Sequence, residues 1–209
     1  MTRLSLPPLY AIVDPLDTGR TPVELAGALL AGGARLLQLR LKAAGSGELL
    51  AAARALRPLT ARAGALLLIN DRPDVARAAG ADGVHLGQDD LPVAAARTVL
   101  APGALIGVST HDVEQARVAA GAGADYLGVG PVFTTTTKVG ALPARGLELV
   151  RAVRAAVGIP LVGIGGITPD TAVAVRAAGA DAVAMIGALV RASDVTATVR
   201  DILARLGAS

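Results

Sequence analysis

The chain has 209 residues, 53% of them apolar and 18% charged, with no cysteine. That length and hydrophobicity suit a folded domain with a full core and exclude a disordered segment, and the missing cysteine excludes disulfides and thiolate metal sites. The formal charge is only +3, from 20 basic and 17 acidic residues, and no basic block interleaved with aromatics appears, which argues against nucleic acid as a partner.

In chain order, short apolar runs alternate with Ala-rich segments of helical period. Leu9–Val13 is the first predicted strand. A helix over Pro22–Leu30 follows, entered through Thr21-Pro22, which sets a capping hydroxyl before proline at the first helical position. The second strand, Leu36–Leu41, runs into Gln38-Leu39-Arg40-Leu41-Lys42, whose alternation puts 38, 40 and 42 on one face. A helix over Gly47–Ala61 leads to the strand Ala65–Ile69, which ends in Asn70-Asp71-Arg72. The helix Pro73–Ala79 and the strand Gly83–Leu86 come next, ending in Gly87-Gln88-Asp89-Asp90. Pro92–Leu100 is helical, Leu105–Val108 extended, and Ser109-Thr110-His111 closes that unit. After the helix Val113–Ala120 and the strand Tyr126–Val129 lies Gly130-Pro131-Val132-Phe133, then Thr134-Thr135-Thr136-Thr137-Lys138. The helix Leu147–Val157 precedes the strand Leu161–Ile164, which ends in Gly165-Gly166. A second Thr-Pro pair, Thr168-Pro169, opens the helix Pro169–Ala178. The last strand, Ala182–Ile186, stops at Gly187 before the helix Val195–Leu206.

Strict β-α alternation implies parallel strands buried on both faces. Eight such units in about 200 residues predict a single (β/α)8 TIM barrel over 1–209, near the lower size limit of that architecture. The competing arrangement, a doubly wound open sheet, usually carries fewer strands at this length. An internal repeat favours the closed barrel: Gly33-Ala34-Arg35, Gly80-Ala81-Asp82, Gly123-Ala124-Asp125 and Gly179-Ala180-Asp181 each precede an even-numbered strand, at spacings of 47, 43 and 56 residues. The glycine is a natural left-handed helix stop and the alanine fits a tight helix-to-strand crossing. No secretion signal is visible, since Leu4 to Leu9 carries Pro7 and Pro8. The most apolar stretch, Val157 to Ile167, is 11 residues, too short for a bilayer. The expectation is a cytoplasmic protein with no membrane partner.

A barrel of this kind places its chemistry at the C-terminal ends of the strands, and the polar residues gather there. Lys42 and Lys138 are the only lysines and Asn70 the only asparagine in a chain otherwise rich in Ala and Arg, and all three fall in this set. Taken singly, Asp71 and Asp90 read first as helix caps. On neighbouring loops they also offer hard oxygen ligands for Mg2+, which takes one or two carboxylates together with substrate phosphates and water. Arg40 and Lys42 beside them suit a polyphosphate, the first bidentate and the second as a point charge. The threonine run with Lys138 reads as an anion grip, and Gly165-Gly166 and Gly187 as a backbone phosphate pocket. His85, in mid-strand, reads as interior packing, whereas His111 stands where it would touch substrate. Two histidines without a third local ligand argue against zinc.

With these residues in place the chain resembles the thiamine phosphate synthase family. The matching stretches are Tyr10-Ala-Ile-Val-Asp14, Gln38-Leu-Arg-Leu-Lys42, Leu68-Ile-Asn-Asp-Arg72, Gly80 through Asp90, Ile106-Gly-Val-Ser-Thr-His111, Ala124 through Phe133, Thr135-Thr-Thr-Lys138 and Ile164-Gly-Gly-Ile167. The resemblance implies a transferase that condenses a hydroxymethylpyrimidine pyrophosphate with a thiazole phosphate, pyrophosphate leaving first. It also implies Mg2+ on Asp71 and Asp90, and catalytic roles for Arg40, Lys42, Ser109 and Lys138. Gln38, Leu39, Arg40, Leu41, Lys42, Asn70, Ser109 and Lys138 would line the pyrimidine pyrophosphate. Thr135, Thr136, Thr137, Gly166, Ile186 and Gly187 would line the thiazole phosphate. The chain departs from the family pattern at Leu41, where Glu is common, at Thr134, where Pro is frequent, and at Gly187, where Ser is common. Two other readings stand beside this one: a thiazole tautomerase on the same barrel, which would need no Asn70, Asp71 or Asp90, and a non-catalytic phosphate-binding barrel. Self-association into a homo-oligomer is left open by the sequence.

Overall fold

Eight parallel strands close into a barrel in chain order: β1 (Leu9–Val13), β2 (Leu36–Leu39), β3 (Leu66–Asn70), β4 (Gly83–Leu86), β5 (Leu105–Thr110), β6 (Tyr126–Val129), β7 (Leu161–Gly163) and β8 (Ala182–Met185), with β8 pairing back onto β1. The computed structural model describes residues 4–135 and 142–207. Around the barrel run α1 (Pro22–Ala31), α2 (Ser46–Arg62), α3 (Pro73–Ala79), α4 (Val93–Val99), α5 (Val113–Gly121), α6 (Gly146–Ala156), α7 (Pro169–Ala177), α8 (Gly187–Val190) and α9 (Val195–Arg205). The expected (β/α)8 order is therefore present. The one-turn helix α8 is additional to it, since four residues after a strand give no periodicity to read.

Strand alternation sorts the side chains into two cores. On β1, Leu9, Ala11 and Val13 face the helices, while Tyr10 and Ile12 face the barrel interior. The interior layer also takes Leu36, Leu68, Tyr126, Val162, Ala182 and Ala184. At α1, the Thr21 hydroxyl accepts from Glu24 N (3.2 Å) and the Glu24 carboxylate accepts from Thr21 N (2.8 Å), a reciprocal capping box. At the second Thr-Pro entry, that of α7, the Thr171 hydroxyl likewise accepts from Thr168 N at 2.9 Å.

The Gly-Ala-Asp repeats are clamps at the N-terminal ends of the strands. Each glycine has positive φ, as a helix stop requires. Each aspartate then accepts from the backbone N–H of the preceding odd strand: Asp82 from Leu67 (2.8 Å), Asp125 from Ile106 (2.7 Å) and Asp181 from Leu161 (2.8 Å). An arginine two elements earlier closes each clamp, Arg57 on Asp82, Arg97 on Asp125 and Arg154 on Asp181. The first repeat carries Arg35 instead, which donates to the Leu30 and Ala34 carbonyls. Asp125→Ala strands the Ile106 N–H and removes the ion pair with Arg97. With both side chains about one-third exposed, the expected loss is about 2 kcal/mol in urea unfolding.

Candidate active site

Residues from the ends of β2 to β8 line one cavity of about 620 Å³ at the C-terminal mouth of the barrel, within the range that holds small organic ligands. Its lining includes Gln38, Arg40, Lys42, Asn70, Asp71, Asp90 and Ser109 on one side and Thr135, Gly166, Ile186 and Gly187 on the other. His111 is there too, its Nδ1 donating to the Gly130 carbonyl (2.6 Å). Leu39 and Leu41 belong to the same stretch but pack toward the helix layer, because the strand alternation that aims 38, 40 and 42 inward turns 39 and 41 out. Their side chains are thus not brought to the cavity. Thr136, Thr137 and Lys138 lie outside the described residues.

The charged half is built by β1 to β4. Arg40 follows β2, held by its N–H on the Val13 carbonyl (3.0 Å), and its guanidinium pairs with the buried Asp14 at the end of β1. Lys42, half-exposed, pairs with Asp71. Asp71 caps nothing: the residue before α3 is Arg72, and Asp71 itself stands at φ 63° with its N–H on the His85 carbonyl (2.8 Å). That left-handed turn swings its carboxylate over the barrel mouth, a conformation Asp tolerates better than most residues. Asp90 caps nothing either. Its carboxylate accepts from Gly87 N (2.6 Å), folding the β4–α4 loop back on itself, and α4 starts from Pro92 without a side-chain cap.

Burial pushes the Asp90 carboxyl above its ordinary range, and the Asp71 carboxyl beside it pushes the same way, against the Gly87 N–H and the Lys42 charge. Two carboxyls in contact at the edge of a cavity are the donor set that a divalent cation relieves. Among the described residues no group of three or more Asp, Glu, His or Cys is close enough to hold a metal by itself. Asp71 and Asp90 therefore fit Mg2+ sharing its other positions with phosphate and water, and fit zinc poorly.

Opposite lie the glycine turns. Gly165 (φ 98°) and Gly166 (φ 62°) lead from β7 toward α7, and a Cβ on Gly166 would stand 2.4 Å from the Thr134 carbonyl oxygen. Only glycine gives this backbone both its hand and its close approach. Gly187 begins α8, one residue beyond β8, with Ile186 as its N-cap.

The floor holds a chain of hydrogen bonds that the sequence did not reveal. Gln38 Nε2 donates to the Tyr10 hydroxyl (2.8 Å), which meets the Tyr126 hydroxyl (3.0 Å). The Tyr126 hydroxyl meets His85 Nδ1 (2.9 Å), and His85 Nε2 meets Ser109 Oγ (2.9 Å). Burial lowers the His85 imidazole from its ordinary 6.5 to about 4, with the Asp71 charge acting in the opposite sense, and burial raises both tyrosine hydroxyls. Unfolded, His85 takes up a proton near its ordinary value; folded, it resists until about 4. Its contribution to stability is therefore complete above the unfolded value and is lost as pH falls toward the folded one. Between about pH 7 and about pH 5 the expected loss is about 2 kcal/mol. Urea unfolding at the two pH values should show that loss in the wild type and its absence in His85→Gln.

Fold and site together define a (β/α)8-barrel enzyme whose catalytic face is shaped for phosphorylated ligands. A profile of the thiamine monophosphate synthase family matches residues 9–189. The chain is 50% identical to the thiamine-phosphate synthase of Moorella thermoacetica over 193 residues, 92% of each chain, and 50% identical to that of Methanoculleus marisnigri over 202 residues, 96% of each. The solved thiamine phosphate pyrophosphorylase of Pyrococcus furiosus superposes with a TM-score of 0.88 at 38% identity, over 96% of this chain and 95% of that one. This chain belongs to the thiamine monophosphate synthase family, and with it to the transferases. A KDPGal structure at 17% identity, TM-score 0.75, shares the fold alone.

Proposed function

We propose that this protein condenses a hydroxymethylpyrimidine pyrophosphate with a thiazole phosphate, giving thiamine phosphate and releasing pyrophosphate. The observation that carries the reading is the contact of Asp71 with Asp90, beside Lys42, in the same cavity as the Gly165-Gly166 and Gly187 turns. A thiazole tautomerase, or a barrel that only binds phosphate, has no use for the paired carboxylates.

Mg2+ held by Asp71 and Asp90 would neutralise charge on the departing pyrophosphate. Arg40 and Lys42 bind the same anion, and Lys138 would join them. Asn70, Gln38 and Ser109 orient the pyrimidine pyrophosphate. Thr135, Thr136 and Thr137 hold the thiazole phosphate with the backbone of Gly166, Ile186 and Gly187, and Gly187 does so without the hydroxyl that serine would supply. Departure of pyrophosphate leaves a pyrimidine-methyl cation, which the thiazole nitrogen captures. Val162, Ile164 and Ala184 line the cavity with apolar surface and limit water near that cation. No helix of the described residues is long and apolar enough to cross a membrane.

The test combines purified protein with both substrates, with and without Mg2+, and follows pyrophosphate release and thiamine phosphate formation together. Magnesium-dependent release coupled to product is expected. Isomerisation of the thiazole without any condensation would overturn the reading.

A further inference from the structure

The interior hydrogen-bond chain has a direction, and the direction reaches the substrate. The Gln38 Nε2 amide only donates, so the Tyr10 oxygen accepts from it. Tyr10 has one proton left to give, and the Tyr126 oxygen lies 3.0 Å away to receive it. Tyr126 then gives its own proton to His85 Nδ1, which must be the bare nitrogen of a neutral ring. That makes Nε2 the protonated one, and it donates to Ser109 Oγ. The reverse order leaves the Tyr10 proton with no acceptor in the chain, a costly outcome for a wholly buried phenol.

We propose that His85 is a positioning residue: locked as the Nε2–H tautomer by Gln38, Tyr10 and Tyr126, it occupies Ser109 Oγ as an acceptor and so commits the Ser109 proton to the bound pyrimidine pyrophosphate. Ser109 lines the cavity, so its hydroxyl is aimed as a donor before substrate arrives. Two glycines make room for the device. A Cβ on Gly107 of β5 would stand 2.0 Å from the Tyr126 ring, and one on Gly128 of β6 would stand 3.1 Å from His85 Cε1. Glycines inside buried strands mark such close approaches. The acceptor that meets the proton is an electron pair of the substrate, on a ring nitrogen or on a phosphate oxygen.

This inference rests on the proposed substrate, and its test separates the two. The chain has two histidines, so histidine labelled with nitrogen-15 gives two imidazole signals, assigned with His111→Gln. The wild type is expected to show His85 protonated at Nε2 and bare at Nδ1, and Tyr126→Phe to show a mixture of tautomers. Calorimetry then follows two probes, inorganic pyrophosphate with Mg2+ and the hydroxymethylpyrimidine without phosphate. In Tyr126→Phe one of them should bind roughly five- to tenfold more weakly. Weaker pyrophosphate places the proton on a phosphate oxygen, and weaker pyrimidine places it on the ring. An Nδ1–H tautomer in the wild type overturns the inference, as does unchanged binding of both probes in the variant. None of these readouts requires turnover, so failure of the condensation itself would sink the proposed reaction and leave the tautomer result standing.

Discussion

Asp71→Asn is expected to lower kcat for pyrophosphate release by about a thousandfold, with the fold intact. Asparagine keeps the size of the side chain and tolerates the left-handed backbone at φ 63°. What disappears is the carboxylate charge beside the Asp90 carboxyl, one of the two that the proposed Mg2+ would use. A metal that stabilises a leaving pyrophosphate contributes several kcal/mol to the transition state, and about 4 kcal/mol corresponds to three orders of magnitude in rate. The Lys42 ammonium, paired with Asp71 in the wild type, would also lose its anchor. Steady-state rates at saturating substrate over a Mg2+ titration check the prediction, with unfolding curves as the control. A variant that turns over at the wild-type rate at low Mg2+ would remove Asp71 from the metal site.

The second large effect concerns stability. Gly107→Ala should cost about 3 kcal/mol or more, beyond the usual range for added core methyls, because the new Cβ would collide with the Tyr126 ring at 2.0 Å. That ring cannot swing away. It is wholly buried, edge-on to Tyr10 with centroids 5.9 Å apart and tilted against His85 at 5.5 Å. Urea unfolding of Gly107→Ala against Tyr126→Phe separates steric collision from loss of a hydrogen bond. The double variant Gly107→Ala with Tyr126→Ala, which vacates the space, should recover part of the loss. If Gly107→Ala alone is as stable as the wild type, the packing described for Tyr126 is incorrect.

The fold was legible because parallel barrel strands are continuous apolar runs and the connecting helices carry period and entry signals. The strands Leu9–Val13, Gly83–Leu86 and Tyr126–Val129 begin and end where the sequence places them. Elsewhere the boundaries move by one or two residues. The Leu36–Leu41 run stops at Leu39, and β5 extends to Thr110, since apolar runs do not say where ladder pairing ends. Cavity-lining residues were legible where polar chemistry interrupts a strand end, as at Arg40, Lys42, Asn70, Asp71 and Asp90. Leu39 and Leu41 are the reverse case: the family resemblance implies them as substrate-lining, and the two-residue period of the strand turns them to the other face.

The interior chain was not legible for a different reason. Tyr10 and Tyr126 are 116 positions apart, and Tyr126 and His85 are 41 apart. Each stands in an apolar strand where a buried aromatic reads as packing. Only closure of the barrel brings their polar atoms together. The same holds for Asp14, whose pairing with Arg40 spans 26 positions. One local signal was available in retrospect: glycines at 107 and 128 within buried strands, which announce that something large approaches from the facing side.

The three Asp-Arg clamps have a bearing on how such a chain tolerates change. They fasten the strands at the end of the barrel opposite the cavity, at Asp82, Asp125 and Asp181. The framework's fasteners and its working surface thus share few residues. Sequence variation in the loops above β3, β4 and β6 can reshape what the cavity accepts while the lower rim keeps the strands in register. A library randomised above the strands would keep most members folded, whereas one of equal size at the lower rim would lose them. A barrel divided in this way acquires new specificities by exchanging its upper loops.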